Sequence, residues 1–188
     1  LEKIKSMIEW LNKIDTFLFH LINQNGFEDI DSLMLIVSNK LTWTPLYFLL
    51  LYVLFTKLKS KIVWVIFSLV ALIFLADSGS VYFFKNVFER LRPCHQLENI
   101  RIVSDCGGLY SFISSHASNS FAIAFFIGLV LRKIKLFIFL FSWATIIGYS
   151  RIYLGVHFPF DILGGMFWGF FCSITIYLIF KKKLNATI

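Results

Sequence analysis

The chain has 188 residues, 58% of them hydrophobic, with a mean hydropathy of +0.76 and a net charge of +7. That length has room for one domain, residues 1–188, and that hydropathy excludes a soluble globular protein in favour of a membrane protein. The charge does not imply nucleic acid, because it is not arranged as a patch. Lys57, Lys59 and Lys61, then Arg132, Lys133 and Lys135, then Lys181, Lys182 and Lys183 each cap an apolar segment, as basic residues do on the cytoplasmic side of a membrane.

In chain order, Ile4, Met7, Leu11, Ile14, Leu18 and Leu21 recur at steps of three and four, with Glu9, Lys13 and Asp15 elsewhere on the wheel. This predicts an amphipathic helix inside an N-terminal segment, residues 1–29. Charge interrupts the apolar positions throughout and no small-residue cleavage site follows, so the segment reads as an interfacial helix rather than a cleaved leader. Asn23 to Gly26 is a turn, and Glu28, Asp29 and Asp31 enrich the next helix start with acids. Residues 30–56 are apolar but carry Lys40, Thr42, Thr44 and Pro45 in their middle, which predicts a short helix feeding a kinked or restarted membrane helix. Residues 62–84 contain one acid, Asp77, and at about 1.5 Å per residue are long enough to cross a hydrocarbon core of about 30 Å.

Residues 85–115 form the only long polar loop. Residues 113–131 and 136–150 are shorter spans joined by a tight basic turn, and residues 158–180 make the last span. With the three basic clusters in the cytoplasm, the 85–115 loop, the start of the helix after it and the turn at 151–161 all emerge on the opposite side, together with residues 1–40. The expected architecture is an all-α membrane bundle of five transmembrane helices with an N-terminal interfacial helix.

The turn before the last span holds Ser150-Arg151, His157 and Asp161 between two strongly apolar runs. Pro159 is preset for the first position of a helix, so the helix N-terminus is expected at His157 and Asp161 falls in its first turn. From there the carboxylate can reach back to the cap and accept a proton from one ring nitrogen of His157, leaving the other free as a nucleophile. Arg151 brings a permanent cation to the same point, and a histidine oriented by an aspartate beside an arginine suits attack on a phosphate. Two further clusters lie at the ends of apolar segments: Lys85 followed by Arg92-Pro93, and Ser114-Ser115-His116.

Taken together, Lys85-x6-Arg92-Pro93, Ser114-Ser115-His116 and Ser150-Arg151-x5-His157-x3-Asp161 resemble the type 2 phosphatidic acid phosphatase (PAP2) superfamily, which also includes vanadium haloperoxidases and glucose 6-phosphatase. The middle motif departs from the usual Pro-Ser-Gly-His, reading Ile113-Ser114-Ser115-His116. Ser115 keeps the backbone N–H that a phosphate oxygen uses. The resemblance implies that Lys85, Arg92, Ser114, Ser115 and Arg151 bind the phosphate and that His157 is the nucleophile forming a phosphohistidine. It makes His116 the general acid and then base, and Asp161 the group that fixes the His157 tautomer. Spacing alone does not say which histidine attacks. Many members have six spans, and the amphipathic N-terminus stands where the sixth would be.

The implied function is a bacterial inner-membrane lipid phosphatase with its site facing the periplasm or cell exterior. Its substrate is a phospholipid or polyprenyl phosphate: undecaprenyl pyrophosphate first, then phosphatidylglycerol phosphate or phosphatidic acid. Lipid A 1-phosphate is a bulkier alternative, lipid-to-lipid phosphotransfer a second chemistry, and a silent membrane scaffold the reading that the intact motifs disfavour. No metal or other cofactor is implied, since the motifs hold one carboxylate where a two-metal hydrolase needs several. Cys94 and Cys106 flank the segment after Arg92 and would form a disulfide in an oxidising compartment, contributing roughly 3 kcal/mol in the chain-entropy model. In a cytosol-facing loop they would stay free; Cys172, inside the last span, is expected reduced. Asp77, with Ser78 and Ser80, is expected to partner a neighbouring helix rather than the substrate. His20 and His95 lie outside the motifs.

Overall fold

The computed structural model describes residues 2–184, all helix, turn and loop apart from a single antiparallel bridge between Leu91 and Tyr110. α1 (Glu2–Asn23) is the expected amphipathic helix. Its apolar positions Ile4, Met7, Leu11 and Leu21 are exposed, whereas Asp15, Phe19 and Asn23 are buried against the rest of the protein. The helix therefore grips the bundle by a partly polar stripe and leaves its apolar face outward, the orientation an interfacial helix needs.

α2 (Glu28–Ser38) ends at Asn39, whose side-chain oxygen accepts the N–H of Leu41 at 2.9 Å and starts a 3₁₀ turn, Lys40–Trp43. α3 (Thr44–Leu58) restarts there with Pro45 in its first turn, where no hydrogen bond is lost. The 30–56 stretch is thus a short helix followed by a membrane helix. α4 (Ile62–Gly79) continues through a wide π-helical turn, Ser80–Lys85, into α5 (Asn86–Phe88). Lys85 accordingly lies within the helix and not in the polar loop, because residues 80–85 keep their backbone bonds at the looser π spacing. After the short α6 (Pro93–Gln96) come α7 (Ser115–Leu131), α8 (Ile134–Tyr153) and α9 (Pro159–Leu184).

Among the described residues, four helical stretches are long and apolar enough to span a membrane: Lys40–Leu58, Ile62–Phe88, Ile134–Tyr153 and Pro159–Leu184. The fifth expected span, α7, is a shorter apolar helix of 17 residues. α7 is the centre of the bundle, packed on α4, α8 and α9. It meets α9 most closely: a Cβ on Gly165 would lie 2.8 Å from the Ser114 carbonyl, and one on Gly169 2.7 Å from that of Ser118. Small residues let the backbones touch, which is how helices associate where lipid is as apolar as leucine. Large side chains such as Phe48, Phe67, Phe74, Phe139, Phe167 and Phe171 face outward, while serines, Asp15, His157 and Asp161 are buried.

The basic clusters share one end. Lys61 Nζ donates to the Leu184 carbonyl at 3.1 Å, Lys183 lies over the Trp64 ring at 5.0 Å, and Arg132 donates to the Tyr177 hydroxyl at 3.3 Å. At the other end the loop after α5 folds back on itself. Arg92 N–H donates to the Leu109 carbonyl, the Ser111 hydroxyl donates to the carbonyls of Arg90 and Leu91, and Cys94 is bridged to Cys106. Asn23 pins this loop to α1 and α8, its amide donating to the carbonyls of Arg101 and Tyr153 and its oxygen accepting Arg101 N–H. Cys172 is free and buried.

Candidate active site

α9 begins one residue later than its sequence implies, with Phe158 rather than His157 ahead of Pro159. The backbone N–H of Phe158 donates to Asp161 Oδ2 at 2.8 Å, so the aspartate three residues on closes its own helix start. The same oxygen lies 3.3 Å from His157 Nδ1. One carboxylate thereby fixes both the helix cap and the imidazole. His157 is 1% exposed and Asp161 fully buried. Burial first, then the charges of Arg92, Arg151 and Lys85, push the His157 ring well below its ordinary value of 6.5, against a smaller opposing hydrogen bond with the Ser111 backbone. The shift favours the neutral imidazole, the form in which a histidine can act as a nucleophile.

The cations that depress His157 are the three read from the motifs. They come from different elements: Lys85 from the π turn, Arg92 from the N-cap of α6, and Arg151 from the last turn of α8. Arg92 and Arg151 each keep a buried Nε–H with no hydrogen-bond partner among the described residues. A phosphate has the acceptors such donors need. Arg151 is oriented by Ser38 at the end of α2, whose hydroxyl accepts from Nη1.

The middle motif is set against this group by its backbone. Ser114 is the N-cap of α7, and its own N–H donates to the Asp161 carbonyl at 3.0 Å, which ties the starts of α7 and α9 together. Ser115 and His116 occupy the first turn. The Ser115 hydroxyl shares a 2.7 Å hydrogen bond with that of Ser80, so the residue standing in the glycine position is held by the π turn that follows α4. Asp77 accepts from the Asn119 amide at 2.7 Å, the partnership with a neighbouring helix expected of it. All eight motif residues therefore lie at the end of the bundle remote from the basic clusters.

Beside His116 a cavity of about 880 Å³ opens between α3, α4 and α7. Its lining includes the polar residues Ser38, Lys40, Asp77 and Asn119 and the apolar residues Leu50, Leu54, Leu69 and Ile127. Neither the cavity nor the roles of Ser38, Asp15 and Arg90 were visible in the motifs. Arg90 falls inside the six residues between Lys85 and Arg92, and its guanidinium reaches Asp161 Oδ1 at 3.1 Å and Asp15 Oδ2 at 2.7 Å.

Residues 61–185 match the sequence profile of the PAP2 superfamily. A lipid A 4'-phosphatase of Bacteroides thetaiotaomicron is 36% identical over 187 residues, covering 96% of this chain and 82% of the relative. An undecaprenyl-diphosphatase of Sulfolobus acidocaldarius is 29% identical over 160 residues, covering 83% and 73%. The crystal structure of Aquifex aeolicus LpxE superposes with a TM-score of 0.66 at 29% identity, covering 87% of this chain and 94% of that one. The profile takes in all three motifs and the helices that carry them, so the chain belongs to the PAP2 superfamily and is a multi-pass bacterial membrane phosphatase of that family.

Proposed function

We propose that the protein hydrolyses the phosphate monoester of a glycolipid held in the bilayer, the 4'-phosphate of lipid A, through a phosphohistidine on His157. The observation that carries the reading is an apolar cavity in the membrane-spanning bundle that His116 lines, on the helix whose start is tied by the Ser114–Asp161 backbone bond to the His157–Asp161 pair. A lipid reaches such a site by lateral diffusion, its phosphate among Lys85, Arg92 and Arg151 and a chain beside Leu50 and Leu54. A water-soluble sugar phosphate gains nothing from it.

In this mechanism Asp161 holds the Nδ1–H of His157 and Nε2 attacks phosphorus. Charge on the equatorial oxygens is taken up by the arginine forks, Lys85 and the N–H groups at the start of α7. His116, in the first turn of α7, protonates the departing sugar oxygen and then activates the water that releases phosphate. Ser114 and Ser115 shape the phosphate loop. The basic clusters at the opposite end support the reading that this end is cytoplasmic and that the site faces the periplasm.

The ranking of substrates differs from the one sequence length favours. A short outer loop argues for small headgroups, but the relative that covers most of the chain is named for lipid A, and the undecaprenyl-diphosphatase is more distant. Undecaprenyl diphosphate is the second reading. Phosphate release by the purified protein in detergent, with chelator present, is compared for the two lipids. Faster release from lipid A, with loss of the 4' rather than the 1 phosphate by mass spectrometry, is expected. Preference for undecaprenyl diphosphate overturns the assignment of substrate, and activity lost with chelator overturns the metal-free chemistry.

A further inference from the structure

The Arg90 guanidinium is held by carboxylates from two helices. One arm of its guanidinium, Nη2, lies 2.7 Å from Asp15 Oδ2 on α1. The other, Nη1, lies 3.1 Å from Asp161 Oδ1 on α9. Its plane is backed by the Phe158 ring, 4.0 Å from the guanidinium carbon to the ring centroid. Asp15 is itself tied into α9, its Oδ1 accepting the N–H of Phe160 at 2.8 Å. The start of α9 is thus built by two fully buried carboxylates, Asp161 from within and Asp15 from α1, with one cation between them.

The division of labour on Asp161 is the important part. Oδ2 serves the Phe158 N–H and His157, while Oδ1 serves Arg90. A carboxylate with only Oδ2 engaged can turn about its Cβ–Cγ bond and pair instead with the cations at the phosphate site. Arg90 removes that option, because its geometry matches two carboxylates at once. We propose that Arg90, anchored by Asp15 of the N-terminal helix, is a positioning residue that holds Asp161 in register with His157 and so sets the rate of phosphohistidine formation.

This rests on the reading of His157 as nucleophile. It also gives α1 a part in catalysis that an interfacial helix would not otherwise have. Groups standing behind a reacting pair of this kind change activity by about 10- to 100-fold without touching substrate. Burial pushes the Asp15 carboxyl up from its ordinary value against the opposing pull of Arg90, so this carboxylate depends on its partner to stay ionised.

The test is rapid-quench labelling of His157 with a phosphate-labelled lipid, on the wild type and on Arg90→Gln, Arg90→Lys and Asp15→Asn. Inhibition by inorganic phosphate serves as the probe of the intact binding site, and Asn23→Ala as the structural control. The expected result is a labelling rate about 10- to 100-fold lower in Arg90→Gln, partly restored in Arg90→Lys and less reduced in Asp15→Asn, with KM and inhibition by phosphate unchanged. Asn23→Ala, which loosens the same loop, should lower the melting temperature and leave the labelling rate as it was. If Arg90→Gln does not fold, Asp15→Asn, close in shape to the native residue, is judged by the same criterion. Wild-type labelling rates in the Arg90 and Asp15 variants overturn the positioning role alone. A parallel loss of phosphate inhibition overturns it too, by making Arg90 a phosphate ligand. Label absent from His157 in the wild type overturns the nucleophile assignment instead.

Discussion

The helices that carry the second and third motifs and those that precede them are built on different terms. In α8 and α9 the most apolar windows are 44% and 39% buried, and α7 is wedged between them with its backbone against that of α9. In the window over α3 only 11% is buried, and the space between α3, α4 and α7 is left as the cavity. The tight region fixes atoms to the tolerance chemistry needs. The loose region reaches the site through single side chains, Ser38 on Arg151 and Asp15 on Arg90, and otherwise leaves room for a lipid. Precision and access are thereby given to separate parts of one small bundle.

Substitutions on the tight side should cost most. His116→Ala is expected to lower turnover about 10²- to 10⁴-fold on a sugar phosphate, and least on an ester whose leaving group needs no proton. Steady-state rates on lipid A and on an aryl phosphate measure this; equal losses on both would remove the general-acid role. Gly169→Leu drives a side chain into the Ser118 carbonyl and the Ala122 backbone, and is expected to destabilise the protein by about 1–3 kcal/mol, read by thermal unfolding in detergent. On the loose side, Leu50→Trp adds bulk to the cavity from α3, at a residue outside the motifs. Since a lipid chain is nearly as well placed in bilayer as in a groove, only KM for the lipid should rise, by about 10-fold or less, with a water-soluble ester unaffected. A Leu50→Trp effect on both substrates would show that the two regions are not separate.

The same divide explains what could be read in advance. His157, Asp161 and Ser114 declare themselves because their interactions are local: Asp161 meets the Phe158 N–H three residues away and His157 four away. The amphipathic period of α1 and the Pro45 restart are local signals too. Arg90 and Asp161 are 71 positions apart, Ser38 and Arg151 113, and Asp15 and the Phe160 N–H 145. No spacing rule connects residues that meet only after the bundle has formed. Asp15 in particular looks like one more charge on the polar face of an interfacial helix, and Arg90 like filler within the x6 of the first motif. Lys85 reads as the first residue of the loop because a π turn leaves no mark that distinguishes its sequence from a loop start. The cavity was illegible for a different reason: apolar residues lining an empty volume look the same as those facing lipid.

α7 and α9 also run in the same direction, both starting at the site and both ending toward the basic clusters. Neighbouring helices aligned in this way repel, because about half a positive charge gathers at each start and about half a negative charge at each end. Here the two starts are stitched together by the Ser114–Asp161 backbone bond, so the repulsion is concentrated where Lys85, Arg92 and Arg151 already crowd. The bundle therefore concentrates positive charge at the end that holds the motifs, which a dianion would offset, and the Lys-rich tails of α3 and α9 and the Arg132 turn offset the negative helix ends at the other. On the proposed reading a phosphate bound among these cations completes the helix packing as well as being a substrate group, and its release after hydrolysis is a step with a cost of its own.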